Sequence, residues 1–392
     1  MKINENYSKL EGNYLFATVA SKVNEFRLKH EDKNIINMGI GDVTGPLCDA
    51  VIKNLNAAVL DMADAKTFKG YGPYRGYNFL IEQIVELYNK RNISLVESEV
   101  FISDGAKSDC ANILNIFGAN QTVLIPDPVY PAYMDTNIMC GNKIVFADAT
   151  RSNKFLPLPN KNLNVDIIYI CSPNNPTGAT YNKNQLEKWV DYANEKDAII
   201  LFDAAYKDFI EDDKLPKSIF EVPKAKTCAI EICSFSKTAG FTGTRCGYTI
   251  IPKELTKCGI ALKDMWLRHQ SSNYNGTSYI IQKGASAVFS QEGQKQINET
   301  LNSYKENAQI MCKAMDEMGA FYTGGKNSPY LWFECFNSLD SWQFFDVMLN
   351  ELNIVGTPGQ GFGKNGKNFF RLTAFGTKEN TQEAMRRIKQ YF

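Results

Sequence analysis

Histidine is nearly absent from this chain: its 392 residues hold two, His30 and His269. A histidine-built metal centre or a Ser/His triad needs more partners than that, so both are close to excluded, and no metal is expected. An excess of charge is missing too. Lys plus Arg and Asp plus Glu number 43 each, which leaves neither the basic footprint of a nucleic-acid binder nor an acidic tail. The substrate should therefore be small rather than polymeric. The ten cysteines are scattered singly, with no CxxC pair. No run approaches the roughly 18 uncharged apolar residues of a membrane-spanning helix. The first residues, MKINENYSKL, have neither a basic nor an apolar region of a signal peptide. Free thiols in a reducing cytoplasm are the expectation, with no membrane and no nucleic acid as partner. Internal repeats and low-complexity linkers are also lacking.

Apolar material, in contrast, is ample. At 44% hydrophobic and 12% aromatic, the chain can build one large or two medium globular cores. Short apolar runs occur at Val100–Ser103, Thr122–Pro126, Lys143–Ala147, Ile167–Cys171, Ile199–Asp203, Cys228–Cys233 and Cys246–Ile251. Helical patterns separate several of them, at Ala106–Phe117, Ala132–Cys140 and Asn184–Asn194. Strands alternating with crossover helices predict an α/β fold with a mostly parallel seven-stranded sheet, helices on both faces, and ligands beyond the carboxyl ends of the strands. Residues 47–66 and 253–318 read as helices. Near the end, Tyr330–Phe336 and Phe369–Thr373 read as strands, and Trp342–Leu352 and Glu379–Tyr391 as helices of a smaller α+β region.

Polar residues gather at the strand ends. Asp104-Gly105-Ala106-Lys107 opens a helix whose free N–H groups favour a phosphate. Asp127–Tyr133 (DPVYPAY), Ser172–Gly178 (SPNNPTG) and Asp203–Tyr206 (DAAY) follow three other strands. The stretch Glu231–Tyr248, EICSFSKTAGFTGTRCGY, places Lys237 on a glycine-loosened turn, with Ser234 and Ser236 before it and Arg245 after it. On spacing alone Lys237 reads as a solvated loop lysine. Five strand ends converging on one rim favour instead a partly buried, Schiff-base-forming amine beside donors for an anionic cofactor group. The glycines of INMGIGDVTGPL, residues 35–47 with the flanking Ile, depart from the dinucleotide-loop spacing and suit a backbone approach to a carboxylate at Gly41.

Taken together, SPNNPTG, then D-x-x-Y, then S-x-S-K-T-x-G-x-x-G-x-R resemble the fold type I pyridoxal-phosphate aminotransferases. Within them, INMGIGDVTGPL, DGAKSD, DPVYPAYMD, SFSKTAGFTGTRCGYT and FFRLTAFG are most similar to the branch acting on LL-diaminopimelate. The resemblance implies pyridoxal 5′-phosphate bound covalently by Lys237, which then shuttles a proton during transfer of an amino group to a 2-oxo acid. It implies that Asp203 pairs with the pyridine nitrogen, that Tyr206 and Asn175 bond the ring hydroxyl, and that Tyr130 stacks on the ring. Ala106, Lys107, Ser234, Ser236 and Arg245 would hold the phosphate, with Tyr71 reaching it from the partner of a homodimer. Arg371 would clamp the substrate carboxylate, helped by Asn175 and Gly41, with Tyr14, Tyr74, Lys107, Tyr130 and the partner's Asn275 also touching substrate.

The pattern departs from the family at Tyr74 and Arg75, which stand where that branch carries an acid and Gln to recognise a distal amino group. A paralogue for an acidic or aromatic amino acid is thus an alternative, and a ligand sensor without turnover a second. Tyr133 and Tyr77 read as packing, Asn174 as a turn residue, Glu231 as a strand-edge charge, and Cys233 and Cys246 as buried thiols. The expected division is residues 1–45 as an arm and part of a small domain, 46–290 as a large cofactor-binding domain, and 291–392 as the rest of the small domain.

Overall fold

The computed structural model describes residues 1–10, 15–39 and 41–392. The seven apolar runs form one sheet: β2 (Val100–Ser103), β3 (Thr122–Asp127), β4 (Lys143–Asp148), β5 (Ile167–Cys171), β6 (Ile199–Asp203), β7 (Ala229–Ser234) and β8 (Gly247–Ile250). Their spatial order is β2-β8-β7-β6-β5-β3-β4. Only β8 runs against its neighbours β2 and β7; the other pairings are parallel. Every residue of β5 and β6 is buried, the signature of a sheet covered on both faces.

Helices α4 (Ala106–Asn112), α5 (Ala132–Met139) and α6 (Lys183–Glu195) are among the covers. On α6, Leu186, Trp189, Val190 and Ala193 repeat at helical spacing and are buried. Its start is fixed by Asn182, whose side chain accepts from the Gln185 N–H while Gln185 reciprocates. Further helices are α1 (Leu15–Lys29), α2 (Asp49–Asp61), α3 (Asn78–Asn89), α7 (Ser236–Ala239), α8 (Leu262–Asn273), α9 (Tyr279–Ser286) and α10 (Gln291–Glu317). The helical stretch expected from residue 253 begins instead with a hairpin, β9 (Thr256–Lys257) and β10 (Ile260–Ala261). Cys258 and Gly259 turn it at φ 50° and 76°, a left-handed corner that no helix continues through.

A second core lies around the antiparallel sheet β11-β12-β15-β14, made of β11 (Tyr322–Gly324), β12 (Tyr330–Glu334), β14 (Thr357–Pro358) and β15 (Phe369–Thr373). Helices α11 (Ser341–Asn350) and α12 (Lys378–Tyr391) contribute to it. The N-terminal segment joins through a short parallel pair, β1 (Ile36–Asn37) with β13 (Ile354–Val355). Helix α10 links the two cores: Ile297, Leu301 and Tyr304 lie in the first, Met311 and Met315 in the second. Among the described residues no helix is long and apolar enough to cross a membrane.

Candidate active site

A cavity of about 630 Å³ opens where the carboxyl ends of the large sheet meet the loop after β1 and strand β15. Its walls carry Ala106, Lys107, Tyr130, Asn175, Asp203, Tyr206, Ser234, Ser236, Lys237 and Arg245 from the large sheet's side, and Gly41 and Arg371 from the other.

One end of the cavity is built to hold an anion. Gly105, at φ +129°, precedes α4, and a Cβ there would stand 2.5 Å from Arg245 Nη2, so only glycine lets that guanidinium close on the helix start. Ser234 ends β7, and its Oγ accepts from the Ser236 N–H at 3.0 Å. The single turn of α7 stops at Gly240, in the left-handed conformation. Two hydroxyls, a guanidinium and the first N–H groups of α4 thus face one corner.

The opposite end carries a carboxylate. Asp203, the last residue of β6, is 8% exposed. Its Oδ2 accepts from the Tyr133 hydroxyl at 2.5 Å and its Oδ1 from the Ala205 N–H at 2.9 Å. Burial raises its pKa, while these two donors pull it back; a cation placed against it would favour the ionised form further. Tyr133 is therefore more than packing. It does stack on Tyr169, at 4.6 Å and 22° between ring planes, but that stack also aims its hydroxyl at Asp203. Beside this carboxylate, Tyr206 OH accepts from Tyr330 OH at 2.7 Å and from Asn175 Nδ2 at 3.4 Å.

Lys237 stands between the two ends. Its side chain is 14% exposed, with Nζ 3.8 Å from Asp42 Oδ1 and 5.8 Å above the Phe375 ring. Burial brings its pKa down to about 8; Asp42 opposes that fall, and the Arg371 and Arg245 guanidiniums add to it. Arg371 is fully buried on β15. Its Nη1 donates to Asn175 Oδ1 at 2.7 Å, and its Nη2 to Gly39 O at 2.6 Å and Thr357 Oγ1 at 3.2 Å. These three acceptors are neutral, so they fix the direction of the fork without cancelling its charge. A Cβ on Gly41 would meet Tyr330 OH at 3.0 Å, so glycine there lets the loop lie against the Tyr330–Arg371 wall.

Three expected residues lie away from this cavity: Tyr71, 93% exposed, Tyr74, 51% exposed, and Asn275. Arg75 is turned aside as well, donating from Nη1 to Glu97 O at 2.8 Å. Tyr14 lies outside the described residues. Asp42, Tyr133, Tyr330 and Thr357 belong to the cavity wall yet were not singled out as ligands from sequence. The only signal for Asp42 was its place in the quoted glycine turn, and for Tyr133 its spacing of three from Tyr130.

The expected reading of Glu231 needs correction. It is fully buried in the interior strand β7, between β6 and β8, and forms an ion pair with Lys207. Cys233 and Cys246 are buried thiols, whose pKa values burial raises.

The donor set fits a phosphorylated pyridine aldehyde: an anion corner where a Cβ at Gly105 would collide with the Arg245 guanidinium, a carboxylate for a cationic ring nitrogen, and an amine of lowered pKa between them. Comparisons with known proteins agree. The family described as aminotransferase class I and II is matched over residues 33–388. The LL-diaminopimelate aminotransferase of Bacteroides fragilis is 49% identical over 406 aligned positions, covering 99% of this chain and 98% of that protein. The enzyme of the same name from Methanosphaera stadtmanae is 48% identical, covering 100% and 99%. The solved L,L-diaminopimelate aminotransferase of Chlamydomonas reinhardtii is 39% identical, with a TM-score of 0.94, over 100% of this chain and 98% of that one. By its fold, its cavity and this likeness over almost its whole length, the chain belongs to the class I and II aminotransferases, enzymes whose cofactor is pyridoxal 5′-phosphate.

Proposed function

We propose that this aminotransferase takes the amino group of LL-diaminopimelate, with 2-oxoglutarate and glutamate as the acceptor couple, in lysine biosynthesis. The observation that carries the chemistry is Lys237, an amine of lowered pKa between the Asp203 carboxylate and the Arg371 fork. Nearly full-length identity to enzymes named for that substrate supports the choice of donor.

Bound at this site, pyridoxal phosphate supplies an aldehyde that links to amines and a ring that stores the electron pair released at the substrate α-carbon. Lys237 is the attachment point, and once displaced by substrate its amine carries the α-proton. A pKa of about 8 leaves roughly a tenth of that amine neutral at pH 7. Asp203 keeps the ring nitrogen protonated. Tyr206 and Asn175 bond the ring hydroxyl, and Tyr130 covers the ring. Ser234, Ser236, Arg245 and the Ala106–Lys107 helix start hold the phosphate. Arg371, with Asn175 and the backbone at Gly41, fixes the substrate carboxylate in a bidentate fork.

The working unit is a homodimer in the cytoplasm. Val59, Leu60, Phe68, Tyr71 and Tyr74 are exposed on α2 and the loop that follows, an apolar stretch that a second copy would cover. In the dimer the partner subunit's Tyr71 reaches the phosphate, and the partner's Tyr74 and the partner's Asn275 border the distal part of the substrate. Residues 46–290 serve as the large cofactor-binding domain, and 1–45 with 291–392 as the small one. The two apolar cores follow this division in outline, with Ile297, Leu301 and Tyr304 of α10 reaching into the first core and Phe155 and Ala179 into the second.

A donor screen tests the assignment. The purified protein is mixed with LL-diaminopimelate, glutamate, aspartate, lysine, ornithine and the aromatic amino acids, and loss of the cofactor's visible absorbance is followed. LL-diaminopimelate should convert the cofactor fastest. If it is inert while another donor reacts, Tyr74 and Arg75 mark a paralogue and the substrate assignment is wrong.

A further inference from the structure

The loop between β1 and α2 brings a second charged group to Lys237. It is pinned at three points. Gly39 O accepts from Arg371 Nη2 and from Thr357 Oγ1, at 2.6 and 2.7 Å, and a Cβ on Gly39 would lie 2.7 Å from Gly356 O. Gly41 rests against Tyr330 and Arg371. Thr44 Oγ1 donates to Phe375 O, and the Phe375 ring lies under Lys237 Nζ. Asp42, held between these points, borders the cavity with its Oδ1 3.8 Å from Lys237 Nζ. The contacts that also orient Arg371 thus fix the backbone that brings Asp42, whose side chain is about half exposed, to the amine.

We propose that Asp42 is a positioning residue for Lys237, a carboxylate that holds the free amine in place and sets the share of it that carries a proton. The inference rests on the reading of Lys237 as the cofactor-linking lysine. Among the described residues, the other charged groups bordering the same cavity are Arg27 from α1, Lys107 from α4, Asp203 at the end of β6, Arg245 from the turn after α7 and Arg371 from β15. The titratable neutral ones are Tyr130, Tyr133, Tyr206, Tyr330, Cys110 and Cys171. Four of the charged groups are cations, and burial first, with repulsion from Arg371 and Arg245 added to it, drives the Lys237 amine toward its neutral form. Asp203 already accepts hydrogen bonds from Tyr133 and Ala205. Among the described residues Asp42 is the other carboxylate on the cavity wall, and it lies at a distance from Lys237 where an opposite charge favours the charged form. An amine wholly neutral would attack well but could not return a proton; one wholly charged could not accept one. The carboxylate keeps the amine between these limits.

The test uses the full-length chain with cofactor removed, so that Lys237 is a free amine. Competition labelling with acetic anhydride, read by peptide mass spectrometry, gives the labelling midpoint of Lys237 against pH, with the exposed lysines as internal references. Asp42→Asn should lower that midpoint by about one pH unit and raise labelling near pH 6.5 by roughly tenfold. Asp42→Glu, which keeps the charge, should stay close to the wild type. If Asp42→Asn does not fold, Asp42→Ser takes its place in the same measurement. An unchanged midpoint in a folded, charge-neutral variant overturns the proposal. Because this labelling needs no cofactor, its failure differs from failure of the parent reading, which borohydride reduction of the loaded enzyme would expose by marking a lysine other than Lys237.

Discussion

Two buried lysines stand thirty positions apart in this chain and have opposite fates. Lys207 is enclosed: its Nζ lies 2.7 Å from Tyr88 OH, 2.8 Å from Tyr248 OH, 3.2 Å from Cys233 Sγ and 3.8 Å from Glu231 Oε1. Glu231 is satisfied in turn by Tyr88 OH through Oε1, and by Ser218 Oγ at 2.6 Å and the Ile219 N–H at 2.9 Å through Oε2. Burial works against the Lys207 ammonium, yet Cys233, Tyr248 and Glu231 outweigh it and hold the pKa well above the ordinary lysine value. Lys237 is nearly as buried, but its neighbours are two guanidiniums and one half-exposed carboxylate, and its pKa falls to about 8. Burial alone therefore does not make a lysine reactive. What encloses it decides whether the proton is locked on or free to leave.

The sharpest way to separate the two is to make the same substitution at each. Lys237→Met removes both the covalent anchor and the proton carrier, and should lower turnover about 10⁴-fold in a steady-state transamination assay. A variant that keeps a tenth of wild-type turnover would end the reading of Lys237. Lys207→Met should leave the cavity lining in place but strand Glu231 as a buried charge without its cation. The expected cost is about 3–5 kcal/mol of stability in urea unfolding. If the variant unfolds at the wild-type midpoint, the enclosed cluster is not an ion pair that the fold depends on.

The stability effect of Lys237→Met should have the opposite sign. In the cofactor-free protein the folded-state pKa of Lys237 lies near 8, below the reference value of 10.5. Between those values the unfolded chain binds more protons than the folded one, so the wild type gains stability as pH rises through that window. Below pH 8 the buried ammonium carries its full penalty, and replacing it should stabilise the protein by up to about 3 kcal/mol. The advantage should shrink above pH 8 and vanish beyond about 10.5, which urea titrations at pH 7 and pH 9.5 would follow. A variant less stable than wild type at pH 7 would mean that Lys237, like Lys207, has its charge compensated inside the fold.

Sequence reading separated these lysines only in part. Lys237 was legible because it sits in a run of chemically specific residues, between a serine-rich strand end and an arginine. The sheet was legible because its interior strands, buried on both faces, are written as mostly apolar runs. The partly exposed edge strand β4 was marked by the short run IVFA, and all seven were placed to within a residue or two. Lys207 and Glu231 were not, because what defines them comes from afar: Tyr88 is 143 positions from Glu231, and Tyr248 is 41 from Lys207. A charge in an interior strand looks like an edge charge until the partners on the covering elements are known. Tyr133 was misread for the same reason, since its acceptor lies 70 residues on. Asp42 fell within a glycine turn whose backbone alone drew notice.

Tyr133 allows the finest test of whether enclosure tunes reactive groups as it tunes the two lysines. Its hydroxyl supplies one of the two hydrogen bonds that lower the pKa of Asp203 against the larger upward push of burial. Tyr133→Phe keeps the ring that stacks on Tyr169 but removes that donor. Asp203 should then hold its proton to a higher pH, so the acidic limb of the kcat profile should move upward. A hydrogen bond to a charged group of this kind is worth about 1.5 kcal/mol, or roughly tenfold in the population of the ionised carboxylate. Thermal stability is the control, because the stacked ring remains and an apolar ring edge replaces a satisfied hydroxyl. If the acidic limb stays fixed, the hydroxyl does not set the ionisation of Asp203, Tyr133 acts through its stacked ring alone, and the carboxylate is held ionised by the cofactor's ring nitrogen rather than by the protein around it.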